Sequence, residues 1–217
     1  KKALNTSILD TNASAVFCAI PLMRGQHISK PIEELVRDAE SLVKKGVKEV
    51  MLIAQELTYY GLDIYKERAL SKLLYALNAV DGIEWIRLHY AYPSKFPLDI
   101  LDAIKDCDKV CNYLDLPLQH ANNKVLKNMQ RQITQEETRT LIQQIRAKNP
   151  NIAIRTTMLV GFPGETEAQF LETYNFLNML PISYLHVFTY SERANTEATA
   201  LPGKISSAEK ARRSKML

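Results

Sequence analysis

The feature that most constrains this chain is a regular alternation between short apolar runs and longer segments of helical period. Six runs rich in apolar or β-branched residues are each followed by a segment in which apolar residues recur every three or four positions. The runs are 15–22, 48–55, 84–92, 110–119, 152–161 and 184–191, and the helical segments lie near 31–45, 69–80, 97–106, 134–148, 167–180 and 207–217. Six strand–helix units in succession predict parallel strands joined by right-handed crossovers, with the helices outside the sheet.

Three of the predicted helices begin with the spacing of a capping box. In that arrangement the cap side chain and a second side chain three residues later each accept a hydrogen bond from a free backbone amide. The pairs are Thr134 with Glu137, Thr166 with Gln169, and Ser206 with Glu209. These marked ends support the helical assignments.

Two α/β architectures accommodate this succession of units: a doubly wound open sheet, and a barrel with fewer than the full eight βα units. The chain has no glycine-rich fingerprint of the GxGxxG type, and its pattern shows no point at which the strand order would reverse. We therefore favour a partial, TIM-like (β/α)6 barrel. Neither a linker nor an internal repeat divides the chain, which predicts a single domain over residues 1–217.

The composition is that of an ordinary globular protein, with 46% hydrophobic and 24% charged residues among 217. The formal net charge of +4 is too mild to indicate nucleic-acid binding. No apolar run has the length of a membrane span, and the opening KKALNTSILD lacks the apolar stretch of a signal peptide. We expect a soluble, cytoplasmic protein with no membrane partner.

Three cysteines do not make a disulfide framework. Cys107 and Cys111 lie four positions apart, and Cys111 is already close to the start of a predicted strand. We interpret both as small apolar packing residues rather than metal ligands. Cys18 lies within the first apolar run, just before a proline and a basic-glycine turn.

Polar residues recur where the predicted strands end. In parallel α/β folds the reactive groups gather at the carboxyl ends of the strands, so these residues are expected to meet on one rim. They are Gln55 and Glu56 after the second strand, His89 and Tyr90 on the third, Gln119 and His120 on the fourth, Arg155 on the fifth with the GFPGET turn (161–166) after it, and Tyr190 and Ser191 on the sixth. The pattern predicts a ligand site without saying which ligand.

Each of these residues also has an ordinary structural interpretation. A single loop histidine is more often hydrogen-bonded within the protein than a ligand to a cofactor. GFPGET is compatible with a plain strand-to-helix turn, but its two glycines would also let the backbone approach a ligand, with Glu165 as an acceptor. Five strand ends that carry polar residues together favour the site.

Six segments together resemble the radical-SAM core of the methylthiotransferases. They are FCAIPLMRG, EVMLIAQELTYYGLDIY, GIEWIRLHYAYPSKFP, YLDLPLQH, IRTTMLVGFPGETEAQF and VFTYSERANT. Most are similar to the RimO type, which modifies an aspartate of a small-subunit ribosomal protein, whereas the last is more similar to the transfer-RNA enzymes of the MiaB and MtaB types. The resemblance implies a partial (β/α)6 barrel, S-adenosylmethionine, a [4Fe–4S] cluster, an electron donor, and insertion of sulfur and a methyl group at an unactivated C–H bond.

The resemblance also implies roles for the rim residues. Gln55 and Glu56 fall where the family meets the methionine moiety of S-adenosylmethionine, and Gln119 falls where ribose contacts are expected. Val160, Gly161, Gly164 and Glu165 fall on the adenine-side turn. Arg155, Tyr190 and Ser191 are expected along the site or the substrate approach, and we place His89, Tyr90 and His120 on the substrate side as well.

The cluster motif of the family is CxxxCxxC, and only its last cysteine is present. Cys18 matches that position, whereas Thr11 and Ala15 stand where the other two cysteines are expected, and Asp10 stands where a glycine is expected. Alanine cannot ligate iron and a threonine hydroxyl is a poor substitute for a thiolate. We therefore expect this chain to be inactive as it stands. The N-terminal cluster domain and the small C-terminal β-domain of the family have no counterpart in these residues.

Three other functions stay open on the sequence. The first is the core of a transfer-RNA adenosine methylthiotransferase. The second is a non-catalytic homologue that uses the barrel as a binding module, which the substitutions at 11 and 15 favour. The third is an aldolase-like or hydrolytic barrel enzyme in which His89, His120 and Glu56 act as acid and base.

Overall fold

Six parallel strands in chain order form the framework of the protein. The computed structural model describes residues 2–5, 7–8, 28–54 and 56–217. The parallel strands are β1 (Lys2–Asn5), β4 (Glu49–Ile53), β5 (Trp85–Leu88), β6 (Tyr113–Asp115), β7 (Ala153–Val160) and β8 (Tyr184–Thr189). A short antiparallel pair, β2 (Ser7–Ile8) with β3 (Ile28–Ser29), lies outside this set.

The strands form two parallel sheets that are linked through β5 and the segment leading into β6. The order is β1-β4-β5 in the first sheet and β6-β7-β8 in the second. A parallel bridge between Ile86 and Val110 connects them, with Cys111 N–H donating to Ile86 O at 2.8 Å. Spatial order therefore follows chain order without the reversal that defines a doubly wound sheet, and the α/β barrel prediction is confirmed over the doubly wound alternative.

Seven helices among the described residues follow the strands. They are α1 (Ile32–Lys44), α2 (Leu70–Asn78), α3 (Asp99–Asp106), α4 (Asn123–Asn128), α5 (Gln135–Lys148), α6 (Glu167–Met179) and α7 (Ser207–Met216), with 3-10 turns at Leu57–Tyr59 and Glu197–Ala200. Within the described part of the chain, none of these helices combines the length and the apolar character needed to cross a membrane.

Side-chain alternation along the strands separates an apolar outer face from a more polar inner face. Val50 and Leu52 on β4 and Ile154 on β7 are fully buried, and belong to one continuous core with side chains of α1, α2, α3, α5 and α6. The intervening residues, such as Met51 and Arg155, are half-buried and share the opposite face. The functional residues of the inner face are thus held on strands that the helices fix from outside.

The predicted capping boxes are confirmed at two helices and only half formed at the third. Both reciprocal hydrogen bonds are present for Thr134 and for Thr166. Ser206 accepts the Glu209 N–H at 3.2 Å, but the Glu209 carboxylate bonds Arg212 and Arg213 instead of the cap amide. The two arginines of the same helix, which are charged and therefore stronger donors, have replaced the backbone amide as partners of the Glu209 carboxylate.

The sequence analysis placed the first strand at 15–22, a range that lies outside the described residues. The strand that pairs in parallel with β4 is β1, in the register Lys2 to Val50. Four residues with one lysine and one asparagine carry too weak a pattern for prediction. Helix α4 was also missed, because a six-residue helix is too short for a helical period to show.

Candidate functional site

Gln119, at the end of the fourth predicted strand, is hydrogen-bonded to β7 through its backbone. Gln119 N–H donates to Thr157 O at 2.8 Å, and Leu159 N–H donates to Gln119 O at 2.7 Å. Its φ of +69° lies in the left-handed region, which is unusual for a residue with a side chain. The half-buried amide is thereby presented at a fixed point of the rim.

Tyr90, on the neighbouring strand end, has the same unusual backbone. Its φ is +60°, and its side chain is exposed. Tyr90 O accepts the Leu57 N–H at 3.2 Å, so the loop after β5 is tied to the loop after β4. Strained backbone of this kind concentrates at ligand sites, which agrees with the predicted placement of Tyr90 on the rim.

Glu56 is buried and organises two rim loops. Its Oε1 atom accepts from Thr58 N at 3.0 Å, Thr58 Oγ1 at 2.6 Å and Tyr92 N at 3.0 Å. Burial raises the pKa of this carboxyl above its ordinary value, partly offset by these hydrogen bonds. Glu56 thus shapes the rim at the place predicted for the methionine moiety. Gln55 lies outside the described residues.

A histidine, an aspartate and an arginine meet inside the barrel. His89 Nδ1 lies 3.6 Å from Asp115 Oδ2, and Arg155 Nη1 lies 3.8 Å from the same oxygen. Burial lowers the pKa of His89, because it outweighs the attraction of Asp115. The pKa of Arg155 is raised although burial opposes this, because its hydrogen bond with Tyr113 and the Asp115 charge favour the cation. The structure therefore brings His89 and Arg155 together, around an aspartate that sequence reasoning did not single out.

The GFPGET turn connects β7 to α6 at the rim. Gly161 and Gly164 have φ of +76° and +80°, a backbone conformation that side chains disfavour. Gly164 N–H donates to Gly203 O at 2.9 Å, and Val160 O accepts the Tyr190 N–H at 2.8 Å. The predicted adenine-side turn is therefore a well-fixed backbone loop between two later segments of the chain.

Two residues of this region that were predicted to contact a ligand have buried side chains. Glu165 and His120 both have side chains that are 0% exposed, and they pair with each other through Oε1 and Nε2 at 3.2 Å. The Glu165 carboxylate also accepts the Gly161 N–H and pairs with Arg213 at 3.1 Å. Neither side chain is accessible to a ligand or to solvent, so both support the turn from behind. The same burial counts against His120 as the acid or base of the aldolase-like alternative.

The end of β8 lines a cavity of about 510 Å³. Ser191 is exposed at its wall, which Pro163, Lys204 and Lys210 also line. Tyr190 is buried, with its ring packed edge-on against Phe162 at 5.6 Å between centroids. Ser191 is therefore available to a ligand, whereas Tyr190 contributes its ring to the rim packing.

The cysteines of the described residues do not supply the ligands that the cluster motif lacks. Cys107 follows the last residue of α3 and is buried, and half-buried Cys111 precedes β6. Both positions belong to the rim opposite the strand carboxyl ends. No three His, Cys, Asp or Glu side chains form a metal-binding group within residues 28–54 and 56–217. Cys18, Thr11 and Ala15 lie outside the described part of the chain.

Comparison with known families decides the relationship of the chain. The model of the Radical SAM superfamily matches residues 16–177, which include β4 to β7 and most of α6. The chain belongs to the radical SAM superfamily.

The chain is similar to several curated proteins that carry one name. The ribosomal protein uS12 methylthiotransferases RimO of Flavobacterium johnsoniae, Cytophaga hutchinsonii and Chloroherpeton thalassium are 55%, 51% and 49% identical to it over 185, 197 and 201 residues. These matches cover 85%, 91% and 93% of the chain but 42%, 45% and 46% of the relatives. The chain thus spans less than half the length of the curated relatives it matches.

Solved structures of radical SAM enzymes share the fold. The chain matches the methyltransferase TsrM from Kitasatospora setae, solved with cobalamin and a [4Fe–4S] cluster, with a TM-score of 0.69 and 18% identity over 86% of this chain and 36% of that one. It matches methylornithine synthase (PylB) with a TM-score of 0.66 and 13% identity over 97% of this chain and 59% of that one. These likenesses confirm the TIM-like barrel.

Sequence reasoning missed two residues of the rim. Arg213 of α7 pairs with Glu165, and Lys210 of the same helix donates to Tyr190 O at 3.0 Å. Both lie on a helix of polar and basic composition, which reads as a solvated surface element. No sequence signal could have found them, because a charged residue becomes buried through a partner that is distant in sequence.

Proposed function

We propose that this chain is the S-adenosylmethionine-binding barrel of a RimO-type enzyme whose substrate is the ribosomal protein uS12. The observation that carries the proposal is the 55% identity over 185 residues to a uS12 methylthiotransferase. A likeness of that degree, over 85% of the chain, goes well beyond the sharing of a fold. Residues 1–217 as one domain, an electron donor as partner and a cytoplasmic location belong to the same proposal.

The rim residues are compatible with S-adenosylmethionine. Gln119 presents a half-buried amide from a fixed backbone, and Gly161 and Gly164 keep the adenine-side turn free of side chains. Glu56 holds the loops after β4 and β5 together. In the proposal these residues bind and orient S-adenosylmethionine, with Val160 supplying backbone to the turn and Gln55 acting beside Glu56.

The inner face of the barrel gives the proposal its substrate side. Arg155 and His89 lie around Asp115, and Tyr90 and Ser191 are exposed at the rim. The low pKa of His89 keeps its ring neutral at physiological pH. We assign these four residues to the approach of the protein substrate, and His120 and Glu165 to the support of the turn.

The residues present do not fit a [4Fe–4S] cluster held by three thiolates. Cys18 is the one cysteine of the motif, and the chemistry of Thr11 and Ala15 supplies no second or third thiolate. The proposal therefore includes S-adenosylmethionine binding and excludes a motif-bound cluster in this chain. Substitution at these two positions also keeps the binding-module alternative open.

Cluster reconstitution tests the proposal directly. After anaerobic reconstitution we expect near-zero iron in the chain as it stands and about four irons per chain in the Thr11→Cys/Ala15→Cys variant. Cys18→Ala in the restored background is the matched control and should lose the iron again. A restored chain that holds no iron and binds no S-adenosylmethionine by calorimetry would contradict the family role proposed for this barrel.

The substrate class needs a separate measurement. The relatives reported above are named for uS12, which favours the ribosomal protein over transfer RNA. The restored chain, offered uS12 and transfer RNA in parallel, is expected to bind uS12 more tightly than transfer RNA. Preference for transfer RNA would move the chain to the transfer-RNA branch.

A further inference from the structure

A buried charged cluster joins the last helix to the glycine turn at the rim. Arg213 Nη1 lies 3.1 Å from Glu165 Oε2, and His120 Nε2 lies 3.2 Å from Glu165 Oε1. The same carboxylate accepts the N–H of Gly161. The three side chains are 6%, 0% and 0% exposed for Arg213, Glu165 and His120. One carboxylate therefore links the ends of β6 and β7 to α7.

His120 contributes a hydrogen bond to this cluster but no charge. Its Nδ1 atom accepts the Asn122 N–H at 3.0 Å, so the ring proton is on Nε2 and points at Glu165. The positive charge that balances Glu165 comes from Arg213. A buried carboxylate that loses its cationic partner is strongly destabilised, so the cluster depends on Arg213.

The guanidinium of Arg213 is held in one orientation. Its Nε atom donates to Glu209 Oε1 at 2.8 Å, Nη1 donates to the backbone O of Glu165 at 3.1 Å, and Nη2 lies 3.5 Å from Glu167 Oε2. A planar fork of donors fixes direction as well as charge, which the single ammonium of lysine does not. Arg213 therefore holds the start of α6 as well as the carboxylate of Glu165.

A second residue of α7 touches the same turn. A Cβ atom on Gly161 would lie 2.4 Å from Lys210 Cγ, so the Lys210 stem packs directly against the Gly161 backbone. Lys210 precedes Arg213 by one helical turn, which places both on one face of α7. The helix thus contacts the turn through packing on one side and through Glu165 on the other.

We propose that Arg213 is a positioning residue for the ligand turn of residues 160–165. Acting through Glu165, it holds the Gly161 amide, and with it the backbone that the proposed function assigns to the adenine side of S-adenosylmethionine. The identity of the ligand rests on that proposed function, whereas the geometry rests on the contacts of Arg213. Arg213 is buried behind the turn and affects the ligand without touching it.

Hydrogen exchange at Gly161 tests the geometry without any ligand. The Gly161 amide is bonded to Glu165, so Arg213→Met should speed its exchange at least about tenfold relative to the parent chain. Arg212→Met is the matched control: Arg212 is its half-exposed neighbour, with partners in Glu167 and Glu209, and the Gly161 exchange rate should not change. Unchanged Gly161 exchange in Arg213→Met, with the protein folded, would overturn the inference.

If Arg213→Met does not fold, Arg213→Lys takes its place in the test. It keeps the charge but not the fork, and the expected Gly161 exchange rate lies between those of the parent and the methionine variant. The double variant Glu165→Gln/Arg213→Met tests the route through Glu165. Because a neutral amide needs no buried cation, this variant should recover stability relative to Arg213→Met alone. Failure to recover would mean that Arg213 acts elsewhere.

Ligand affinity gives the second readout. In the Thr11→Cys/Ala15→Cys background, Arg213→Met should weaken the calorimetric Kd for S-adenosylmethionine about tenfold, with Arg212→Met unchanged. A lower melting temperature with an unchanged Kd would reduce Arg213 to a stabilising role and overturn the positioning claim. If the restored background itself binds no S-adenosylmethionine, the proposed function fails, while the Gly161 exchange rate still decides the inference.

Discussion

Glu56 Oε1 accepts the backbone N–H of Tyr92 at 3.0 Å across 36 residues of sequence. The same oxygen caps the 3-10 turn at Leu57–Tyr59 through Thr58. One buried carboxylate therefore determines where the loops after β4 and β5 stand relative to each other. This pairing explains how a rim built from short loops keeps a defined shape.

Removal of the Glu56 carboxylate is expected to destabilise the protein. Glu56→Ala leaves the amides of Thr58 and Tyr92 buried without an acceptor, and should lower the free energy of unfolding by roughly 2–4 kcal/mol in urea titrations. Glu56→Gln keeps an acceptor and should lose less. Glu84→Ala, an exposed partner of Lys48, is the control and should change the free energy by under about 0.5 kcal/mol. Equal losses at Glu56 and Glu84 would contradict the role of Glu56.

The raised pKa of Glu56 makes a second prediction, about pH. The folded state holds the proton of Glu56 more tightly than the unfolded chain, because burial disfavours the carboxylate. Its contribution to the free energy of unfolding therefore decreases as pH rises from the ordinary carboxyl pKa through the raised folded pKa. Urea titrations from pH 4.5 to pH 8 should show this slope in the parent and not in Glu56→Gln. A parallel dependence in the two proteins would show that Glu56 does not cause it.

Gly161→Ala should cost more than an alanine at a comparable glycine. Gly161 and Gly46 both have left-handed backbone, with φ of +76° and +82°, so both alanines carry a conformational cost of about 1–2 kcal/mol. At Gly46 nothing lies within 4 Å of the new Cβ, whereas at Gly161 it meets Lys210 Cγ at 2.4 Å. We expect an extra loss of roughly 1–3 kcal/mol at Gly161 in chemical unfolding.

The double variant Gly161→Ala/Lys210→Ala separates the two causes of that loss. Deleting the Lys210 side chain removes the clash but not the backbone strain. Gly161→Ala should therefore lower the free energy of unfolding less in the Lys210→Ala background than in the parent, and the difference should equal the extra loss. An additive result would place the cost of Gly161→Ala in the backbone only.

His89 should titrate below the ordinary imidazole pKa of 6.5. Its neutral ring is favoured in the folded state, so the stability it contributes is complete above pH 6.5 and is lost as pH falls through the folded pKa. Asp115→Asn removes the attraction that partly offsets burial, and should lower the pKa of His89 further. Arg155→Met should raise it. NMR titration of the ring protons measures both shifts, and Asp102→Asn, at an exposed position of α3, is the control.

Much of the fold follows from local pattern alone. Strand β7 and helix α5 were predicted within two residues at each end, because a β-branched run and a capped helical period are both local signals. Strand β1 was not, because four residues become a strand here through pairing with β4 rather than through their own preference.

The candidate site was only partly predictable, for a related reason. The rim position of Gln119 and Gly161 follows from where strands end. Whether Glu165 faces a ligand or the interior depends on His120 and Arg213, which lie 45 and 48 residues away in sequence. A carboxylate in a turn motif looks the same in sequence whichever way it points, so burial of Glu165 required the structure.

The pairing of Glu165 with Arg213 also sets an order on how the rim is completed during synthesis. Strand β7, the glycine turn and α6 are all made before the ribosome reaches residue 213, and the backbone O of Glu165 meets its guanidinium partner 48 residues later. Until then the carboxylate lacks the cation that Arg213 supplies. The turn therefore becomes fixed only after α7 has docked, later than the strand and the helix that flank it.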